Sequence, residues 1–151
     1  MVERYEAFTV LITKINRSIR RIKNQEMAKY NLRNSHVSCL YYLYIGKDLT
    51  ATDLCERCEE DKATISRALD YLETNGYIAQ RSKSEKRYKT PLVLTEKGRV
   101  AGKRIAQKIE QLFIEVSKDV CETEREALYR NLSAISEGLE RRLKAEEDSI
   151  D

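Results

Sequence analysis

Hydrophobic residues recur at helical spacing near both ends of this chain of 151 residues. The N-terminal stripe has spacings of three and four residues, which predicts one long amphipathic helix over about residues 3–28. Two further helices are predicted within about 95–144, and an acidic tail follows at 145–151. These apolar faces exceed what one copy of so short a chain covers easily, so we expect the three helices to form the base of a homodimer. The N-terminal stripe consists of Tyr5, Phe8, Ile12, Ile15, Ile19 and Ile22.

The middle of the chain, about residues 35–94, predicts shorter elements. A helix capped by Ser35 ends before Gly46, and a short helix capped by Thr52 follows. Asp61 is the expected cap of the next helix, which ends at Asn75. Two short strands, Tyr77–Arg81 and Pro91–Leu94, then flank a charged hairpin. The order of elements predicts one mainly α domain, in which a winged helix-turn-helix with a small β-hairpin wing is joined to a helical dimerisation base.

Charge is distributed unevenly along the sequence. The net charge is +3, but residues 62–108 hold 12 Lys and Arg against 4 Asp and Glu, a local +8, while the remainder carries −5. A basic block of this kind is typical of a surface that binds nucleic acid phosphates, although a solvated charged surface is the simpler alternative. No stretch of about eighteen apolar residues is present and no secretory signal precedes the first helix, so we expect a cytoplasmic protein with no membrane segment.

The predicted helix over residues 62–75 has two distinct faces on a helical wheel. Ile65 and Leu69 fall on the side that we expect to pack against the core. The opposite side offers small and hydroxyl side chains and one arginine, which suits a major groove about 12 Å wide. Arg67 can donate two hydrogen bonds to guanine, and the hydroxyl groups beside it can reach bases or phosphates. The candidate DNA-binding residues in this motif are Thr52, Lys62, Ala63, Thr64, Ser66 and Arg67.

The hairpin directly downstream carries five basic residues and one acidic residue. Two short strands with such a tip form a wing, and an arginine at the tip can enter a narrow minor groove, where the negative potential is strongest. Charged hairpin tips are usually only solvated, but the helix-turn-helix directly upstream favours DNA binding. The candidate wing contacts are Arg81, Lys83, Lys86, Arg87 and Lys89, with Glu85 between them.

Over nearly its full length the chain resembles the MarR family of winged-helix transcriptional regulators. The family's wing carries Asp-x-Arg, and Glu85-Lys86-Arg87 stands in that place here. The resemblance implies that Arg87 reaches the minor groove while Glu85 helps to hold it. Glu59 occupies a position where the family's turn usually has glycine, which predicts a left-handed backbone at a non-glycine residue. The other matching segments are Asp53-Leu54, Asp61-Lys62-Ala63-Thr64-Ile65-Ser66-Arg67, Leu72-Glu73-x-x-Gly76-Tyr77-Ile78 and Leu94-Thr95-Glu96-Lys97-Gly98-Arg99.

Four cysteines raise the question of metal or redox chemistry. Cys55 and Cys58 are spaced like a ligand pair, but a four-ligand zinc site needs two more ligands and His36 is the only histidine. We therefore expect these cysteines, like Cys39 and Cys121, to pack as small hydrophobic residues, with no metal or cofactor. Thiol-based redox sensing, which is known within the resembled family, is the alternative. No nucleophile–base pair or phosphate-binding loop is present, so an enzyme is not expected.

Tyrosine dominates the aromatic residues, with nine copies against two phenylalanines and no tryptophan. Tyr41, Tyr42 and Tyr44 lie on the helix predicted after Ser35. The resemblance implies that they border the crevice in which related regulators bind small aromatic anions, whereas ordinary core packing is the alternative for each of them.

These patterns together predict a sequence-specific regulator of transcription that binds double-stranded DNA. We expect a homodimer on a pseudo-palindromic operator, with half-sites about one helical turn apart. Repression by blocking polymerase, relieved or tuned by a small aromatic or anionic effector, is the expected mode of action. The alternative from a different class is a winged-helix protein–protein interaction module that no longer binds DNA.

Overall fold

The computed structural model of the chain describes residues 2–80, 82, 86 and 88–149, which form a mainly helical fold, as predicted. The chain divides into two compact units, Met1–Leu112 and Phe113–Asp151. None of the described helices is both long enough and apolar enough to cross a membrane. The elements are α1 (Val2–Met27), a 3-10 helix (Ala28–Tyr30), α2 (Ser35–Ile45), α3 (Ala51–Cys58), α4 (Lys62–Thr74), α5 (Glu96–Val116) and α6 (Glu122–Glu147).

A continuous apolar core holds the first unit together. Helices α2, α3 and α4 pack against one another, and the end of α1, residues 77–78 and α5 complete the core. Each large aliphatic side chain buried in this way contributes roughly 1.5–3 kcal/mol. Because the core lies behind α3 and α4, the remaining faces of these two helices are at the surface. The fully buried side chains include Met27, Leu32, Val37, Leu40, Leu54, Ile65, Leu69, Leu72, Ile78 and Ile105.

A capping box begins α3. The Thr50 hydroxyl accepts a hydrogen bond from the Asp53 N–H, and the Asp53 carboxylate accepts one of 2.7 Å from the Thr50 N–H. The prediction that Thr52 caps this helix is wrong, because Thr50 has the extended backbone of a cap (φ −94°, ψ 173°) and Thr52 already lies inside the helix. The helix therefore begins at Ala51, two residues earlier than predicted.

The turn between α3 and α4 is made at Glu59, whose φ of 52° confirms the left-handed backbone predicted at this non-glycine residue. Asp61 then caps α4 by accepting a hydrogen bond of 2.7 Å from the Thr64 N–H, as predicted. The helix ends at Thr74, and the chain leaves it through Gly76 at φ 74°, where glycine has no steric penalty. The second helix of the motif is thus fixed at both ends.

The arms of the predicted wing meet in an antiparallel arrangement. Ile78 bridges to Leu94, and the Ala79 N–H donates a hydrogen bond of 2.8 Å to the Val93 carbonyl. These contacts place residues 77–79 beside residues 93–95 at the point where the wing leaves the core.

The two regular strands predicted at Tyr77–Arg81 and Pro91–Leu94 are wrong for the described residues, which contain only the bridge and its flanking hydrogen bonds. Pro91 has no N–H with which to extend the pairing. The Leu92 N–H donates instead to the Leu49 carbonyl, 2.8 Å away. The second arm is therefore bonded on both of its edges, to residue 49 and to residues 77–79.

The long N-terminal helix is confirmed as α1, and much of its apolar stripe is exposed. The cap predicted for α2 at Ser35 is wrong, because Ser35 is the first helical residue and Asn34 precedes it. The Asn34 N–H donates a hydrogen bond of 2.7 Å to the Asn24 side chain. The start of α2 is thereby held against the last part of α1.

In the second unit, Arg125 organises the turn between α5 and α6. Its guanidinium forms an ion pair of 2.9 Å with Glu122 and donates to the carbonyl groups of Ser117 and Val120 at 3.4 and 3.3 Å. These bonds stabilise the turn that follows Val116, the last residue of α5.

Helix α6 runs to Glu147, so residues 145–147, the first part of the predicted acidic tail, are helical. None of its residues is buried. Leu139 and Leu143 are each 60% exposed although they share one stripe with the other apolar residues of the helix. The described part of the chain therefore leaves the apolar face of this amphipathic helix exposed.

Candidate nucleic-acid interface

Helix α4 presents the N-terminal half of one face to solvent. Its buried face carries Ile65 and Leu69, as the helical wheel indicates. On the other side, Ala63 and Arg67 are exposed and Thr64 is half-buried. Ser66 is also half-buried. The predicted DNA-reading residues are therefore brought together on the surface of one helix.

Local hydrogen bonds orient the arginine of this face. The Arg67 guanidinium donates to the Thr64 hydroxyl at 3.3 Å, which uses one of its five donors. The hydrogen bond from the Thr64 N–H holds the pKa of the Asp61 carboxyl below its usual value. Asp61 is thus an anion at neutral pH, and it interacts favourably with the positive end of the α4 dipole.

Tyr88 connects the wing base to both helices of the motif. The Lys62 ammonium lies 4.1 Å from the centre of the Tyr88 ring, a cation–π contact. The Thr52 hydroxyl donates to the Tyr88 carbonyl at 3.4 Å. Thr52 and Lys62 were predicted, but Tyr88 was missed, although an aromatic residue among the basic residues of a wing is a usable signal.

The predicted basic residues of the wing are only partly within the described chain. Lys86 and Lys89 are exposed, and the Lys89 N–H donates to the Lys86 carbonyl at 2.9 Å to form a turn. Both lysines are therefore at the surface of the described part of the wing. The predicted contacts Arg81, Lys83, Glu85 and Arg87 lie outside the described residues.

The other long side of α4 borders a cavity of about 240 Å³ that sequence reasoning missed. The His36 ring stacks on the Tyr71 ring of α4 at 4.1 Å, and the Tyr71 hydroxyl donates to the Asn31 carbonyl at 3.0 Å. Burial, assisted by the charge of Arg33, lowers the pKa of His36, so the ring is neutral at pH 7. The cavity is lined by Arg33, Asn34, Ser35, His36, Thr64, Arg67 and Ala68.

The three tyrosines predicted to line an effector crevice occupy two environments. The Tyr41 and Tyr42 rings meet edge to face at 5.2 Å, with the buried Lys23 ammonium 5.0 and 5.8 Å from their centres. Burial lowers the pKa of Lys23 and raises that of both phenols. Tyr44 packs instead against α5 at Gly102. Tyr42 lines a cavity of about 170 Å³ with Asn16, Arg20, Lys23, Ser38, Arg57, Cys58 and Glu59.

A third cavity, of about 280 Å³, combines aromatic walls with two cations. The Lys97 ammonium lies 4.3 Å from the centre of the Tyr77 ring, and the Arg104 guanidinium donates to the Tyr30 hydroxyl. Sequence reasoning missed this cavity because its walls come from distant parts of the chain. It is lined by Tyr30, Tyr77, Glu96, Lys97, Val100, Ala101 and Arg104.

The cysteines differ in burial. Core packing is confirmed for Cys39 and Cys58, Cys55 is half-buried, and the prediction is wrong for Cys121, which is exposed. The Cys39 thiol donates to Cys58, and this bond, together with the Lys23 charge, lowers the pKa of Cys58. Among the described residues, no three potential ligands are grouped in a way that would hold a metal ion.

Comparison with known proteins finds regulators of one family. Residues 30–87 match the model of the MarR family. The HTH-type transcriptional regulator BilQ of Clostridioides difficile is 23% identical over 137 residues, which cover 88% of this chain and 90% of that protein. Staphylococcus aureus MarR, solved in complex with salicylate and kanamycin, is 20% identical with a TM-score of 0.77, covering 93% of this chain and 94% of that one. A Listeria monocytogenes protein of the MarR family, solved with 26mer DNA, is 27% identical with a TM-score of 0.72 and 85% coverage of each chain.

Proposed function

We propose that this chain, a transcriptional regulator of the MarR family, binds double-stranded DNA in a sequence-specific manner. The observation that carries the proposal is the exposed N-terminal half of α4, which presents Arg67 beside hydroxyl groups. The DNA complex of the Listeria monocytogenes neighbour supports the same partner. In this proposal α4 enters the major groove, where Arg67 donates to guanine.

The residues around α4 take positioning roles in the same proposal. Thr52 and Lys62 lie next to the wing base, where they contact phosphates rather than bases. Lys86 and Lys89 extend these contacts along the wing. Arg87 enters the adjacent minor groove, supported by Glu85.

A homodimer accounts for the apolar surfaces that one chain leaves open. The stripe of α1 includes Tyr5, which is 69% exposed, and Ile15, which is 50% exposed. In the second unit, Leu139 and Leu143 of α6 are exposed to a similar extent. Packing of each face against a second copy removes it from water. Two-fold symmetry then requires a pseudo-palindromic site with half-sites about 10 base pairs apart.

Repression with control by an effector completes the proposal. A dimer bound near a promoter blocks polymerase. A ligand that favours a different spacing of the two α4 helices releases the dimer from the DNA. The salicylate in the Staphylococcus aureus neighbour supports a small aromatic anion as this ligand. The cavity beside Tyr42, with the ammonium of Lys23 at its wall, is the proposed site.

The test begins with selection of preferred duplexes from a random pool, followed by affinities of variants. Arg87→Ala is expected to weaken binding to most duplexes alike. Arg67→Ala is expected to relax the preference at one position per half-site, at a cost of about 1–3 kcal/mol for the preferred duplex. Arg130→Ala, on the exposed surface of α6, is the charge-matched control and leaves both properties unchanged. Sedimentation analysis of the same samples measures whether the chain is a monomer or a dimer.

Three results would contradict parts of the proposal. Negligible duplex binding at low salt favours the protein–protein interaction module. Equal losses on all duplexes from both arginine variants mean that α4 does not read bases. Single copies at micromolar concentration exclude the homodimer. A selection repeated under oxidising and reducing conditions tests the thiol alternative, which predicts an affinity that depends on oxidation.

A further inference from the structure

Helix α4 has basic groups along both of its long sides. On one side, Lys62 contacts Tyr88 and the exposed Lys86 and Lys89 of the wing follow. On the other side, the cavity that includes Thr64 and Arg67 also includes Arg33, which is exposed. The basic surface therefore continues past α4 in the direction away from the wing.

Arg33 also lines a second, larger groove of about 560 Å³, which extends the surface onto α1. The groove contains Arg17, Arg20 and Arg21, and no acidic residue lines either cavity. Arg20 forms an ion pair of 3.4 Å with Glu60. Within the described part of the chain, no carboxylate pairs with Arg17, Arg21 or Arg33, which we call the arginine corner.

The dimensions of duplex DNA indicate which ligand the arginine corner would contact. A helix with its side chains is about 10–12 Å across and fills a major groove about 12 Å wide. The two phosphate backbones that border the groove therefore lie on the two long sides of the helix. One backbone meets the wing side of α4, and the other meets the side that carries Arg33.

We propose that the arginine corner binds the phosphate backbone on the side of the major groove opposite the wing. This inference rests on the proposed entry of α4 into the major groove. Arg33 lines the same cavity as Thr64 and Arg67, so the arginine corner is continuous with the proposed DNA-reading surface of α4. This continuity favours DNA over an acidic protein as the partner. Arginine is suited to the contact because its planar guanidinium pairs with phosphate through two parallel hydrogen bonds.

Charge counted along the sequence does not reveal this corner. Its residues lie outside the basic block of residues 62–108, in the part of the chain with a local charge of −5. They come together because the last half of α1 and the turn before α2 are adjacent, joined by the Asn24–Asn34 hydrogen bond. The DNA footprint is therefore larger than the winged helix-turn-helix alone.

The experiment measures the salt dependence of duplex affinity for the triple variant Arg17→Gln, Arg21→Gln and Arg33→Gln. Each phosphate contact that is lost lowers the slope of log affinity against log salt by about 0.9, so up to about 2.7 is lost per protomer. Base preference is expected to remain unchanged. The control is Arg130→Gln, Arg141→Gln and Lys144→Gln, which removes three charges from the exposed helix α6 and leaves the slope unchanged. Phosphate ethylation interference should lose its signal only on the backbone distal to the wing.

The outcomes separate this inference from the function on which it rests. If the wild-type chain does not bind duplex DNA, both fall. If it binds and the triple variant keeps the wild-type slope, only the arginine corner is excluded, and an acidic protein or a small anion becomes its candidate partner. An equal loss in the α6 control also overturns the inference, because it reflects net charge alone. If the triple variant folds poorly, the single variants Arg17→Gln and Arg33→Gln still test the inference. Each should reduce the steepness of log affinity against log salt by about 0.9 per protomer.

Discussion

Substitution of Gly98 by alanine tests the tight contact between the start of α5 and the chain that leaves α4. A Cβ atom at this position would lie 1.9 Å from the Tyr77 carbonyl oxygen, far inside the 3.0 Å below which real Cβ contacts are essentially absent. The start of α5 and residue 77 must therefore separate by roughly 1 Å, in an interior that is close-packed. The separation strains the hydrogen bond of 3.1 Å from the Thr95 N–H to the same carbonyl, and that of 2.6 Å from the Thr95 hydroxyl to Gly76.

The expected magnitude follows from three contributions. Alanine gains about 1 kcal/mol over glycine in a helix. Overpacking costs about 1–3 kcal/mol, and each weakened hydrogen bond costs about 1 kcal/mol. With two weakened hydrogen bonds, we expect the free energy of unfolding to fall by about 2–4 kcal/mol. The control is Gly138→Ala on α6, where the nearest atom to the new Cβ is 3.8 Å away, and it should gain about 0.5–1 kcal/mol.

Urea unfolding followed by circular dichroism measures both variants. The protein concentration is held constant, because association of subunits shifts apparent stability. A Gly98→Ala variant that unfolds at the wild-type urea midpoint or above it would refute the argument. The backbone would then have adjusted to the new Cβ atom without loss of stability. The variant should also bind duplex DNA more weakly, because Tyr77 leads directly into the wing base.

Two further predictions concern the cap of α3 and the effector. Thr50→Ala should lower the free energy of unfolding by about 1 kcal/mol while Thr52→Ala changes it by less than about 0.5 kcal/mol, and equal losses in thermal or urea unfolding would contradict the capping box seen at Thr50. Calorimetric titration with salicylate should show about tenfold weaker binding for Tyr42→Ala and wild-type binding for Val100→Glu. The reverse pattern would assign the effector site to the cavity lined by Tyr30 and Tyr77.

Local signals predicted much of the helix-turn-helix. Asp61 is a good cap wherever a helix follows it, and the left-handed turn at Glu59 was predicted because the resembled family usually has glycine at this position. The choice between Thr50 and Thr52 depends on which threonine has an acidic residue three positions later, and Asp53 completes the capping box with Thr50. The Leu49 carbonyl, directly before this cap, also accepts a long-range hydrogen bond from the Leu92 N–H, which the local pattern does not indicate.

The candidate interface was predictable to the extent that it lies on one helix. The faces of α4 follow from its periodicity, so Arg67 was placed correctly on the surface. Tyr88 and the arginine corner depend on which elements become neighbours in the folded chain, and periodicity carries no information about that. The wing strands failed for a related reason, because Leu92 pairs with Leu49 outside the hairpin.

The bonds on both edges of the wing base have a consequence for how such a regulator changes its target. The bonds from Ala79 to Val93 and from Leu92 to Leu49 set the direction in which the wing leaves the core. We expect substitutions between this base and Tyr88, at residues 80–87, to leave the orientation of α4 unchanged, because the contacts of Tyr88 with Thr52 and Lys62 are kept. In the proposed DNA complex, contacts beyond the major groove can therefore diverge, by selection or in a designed library, while the contacts of α4 are kept.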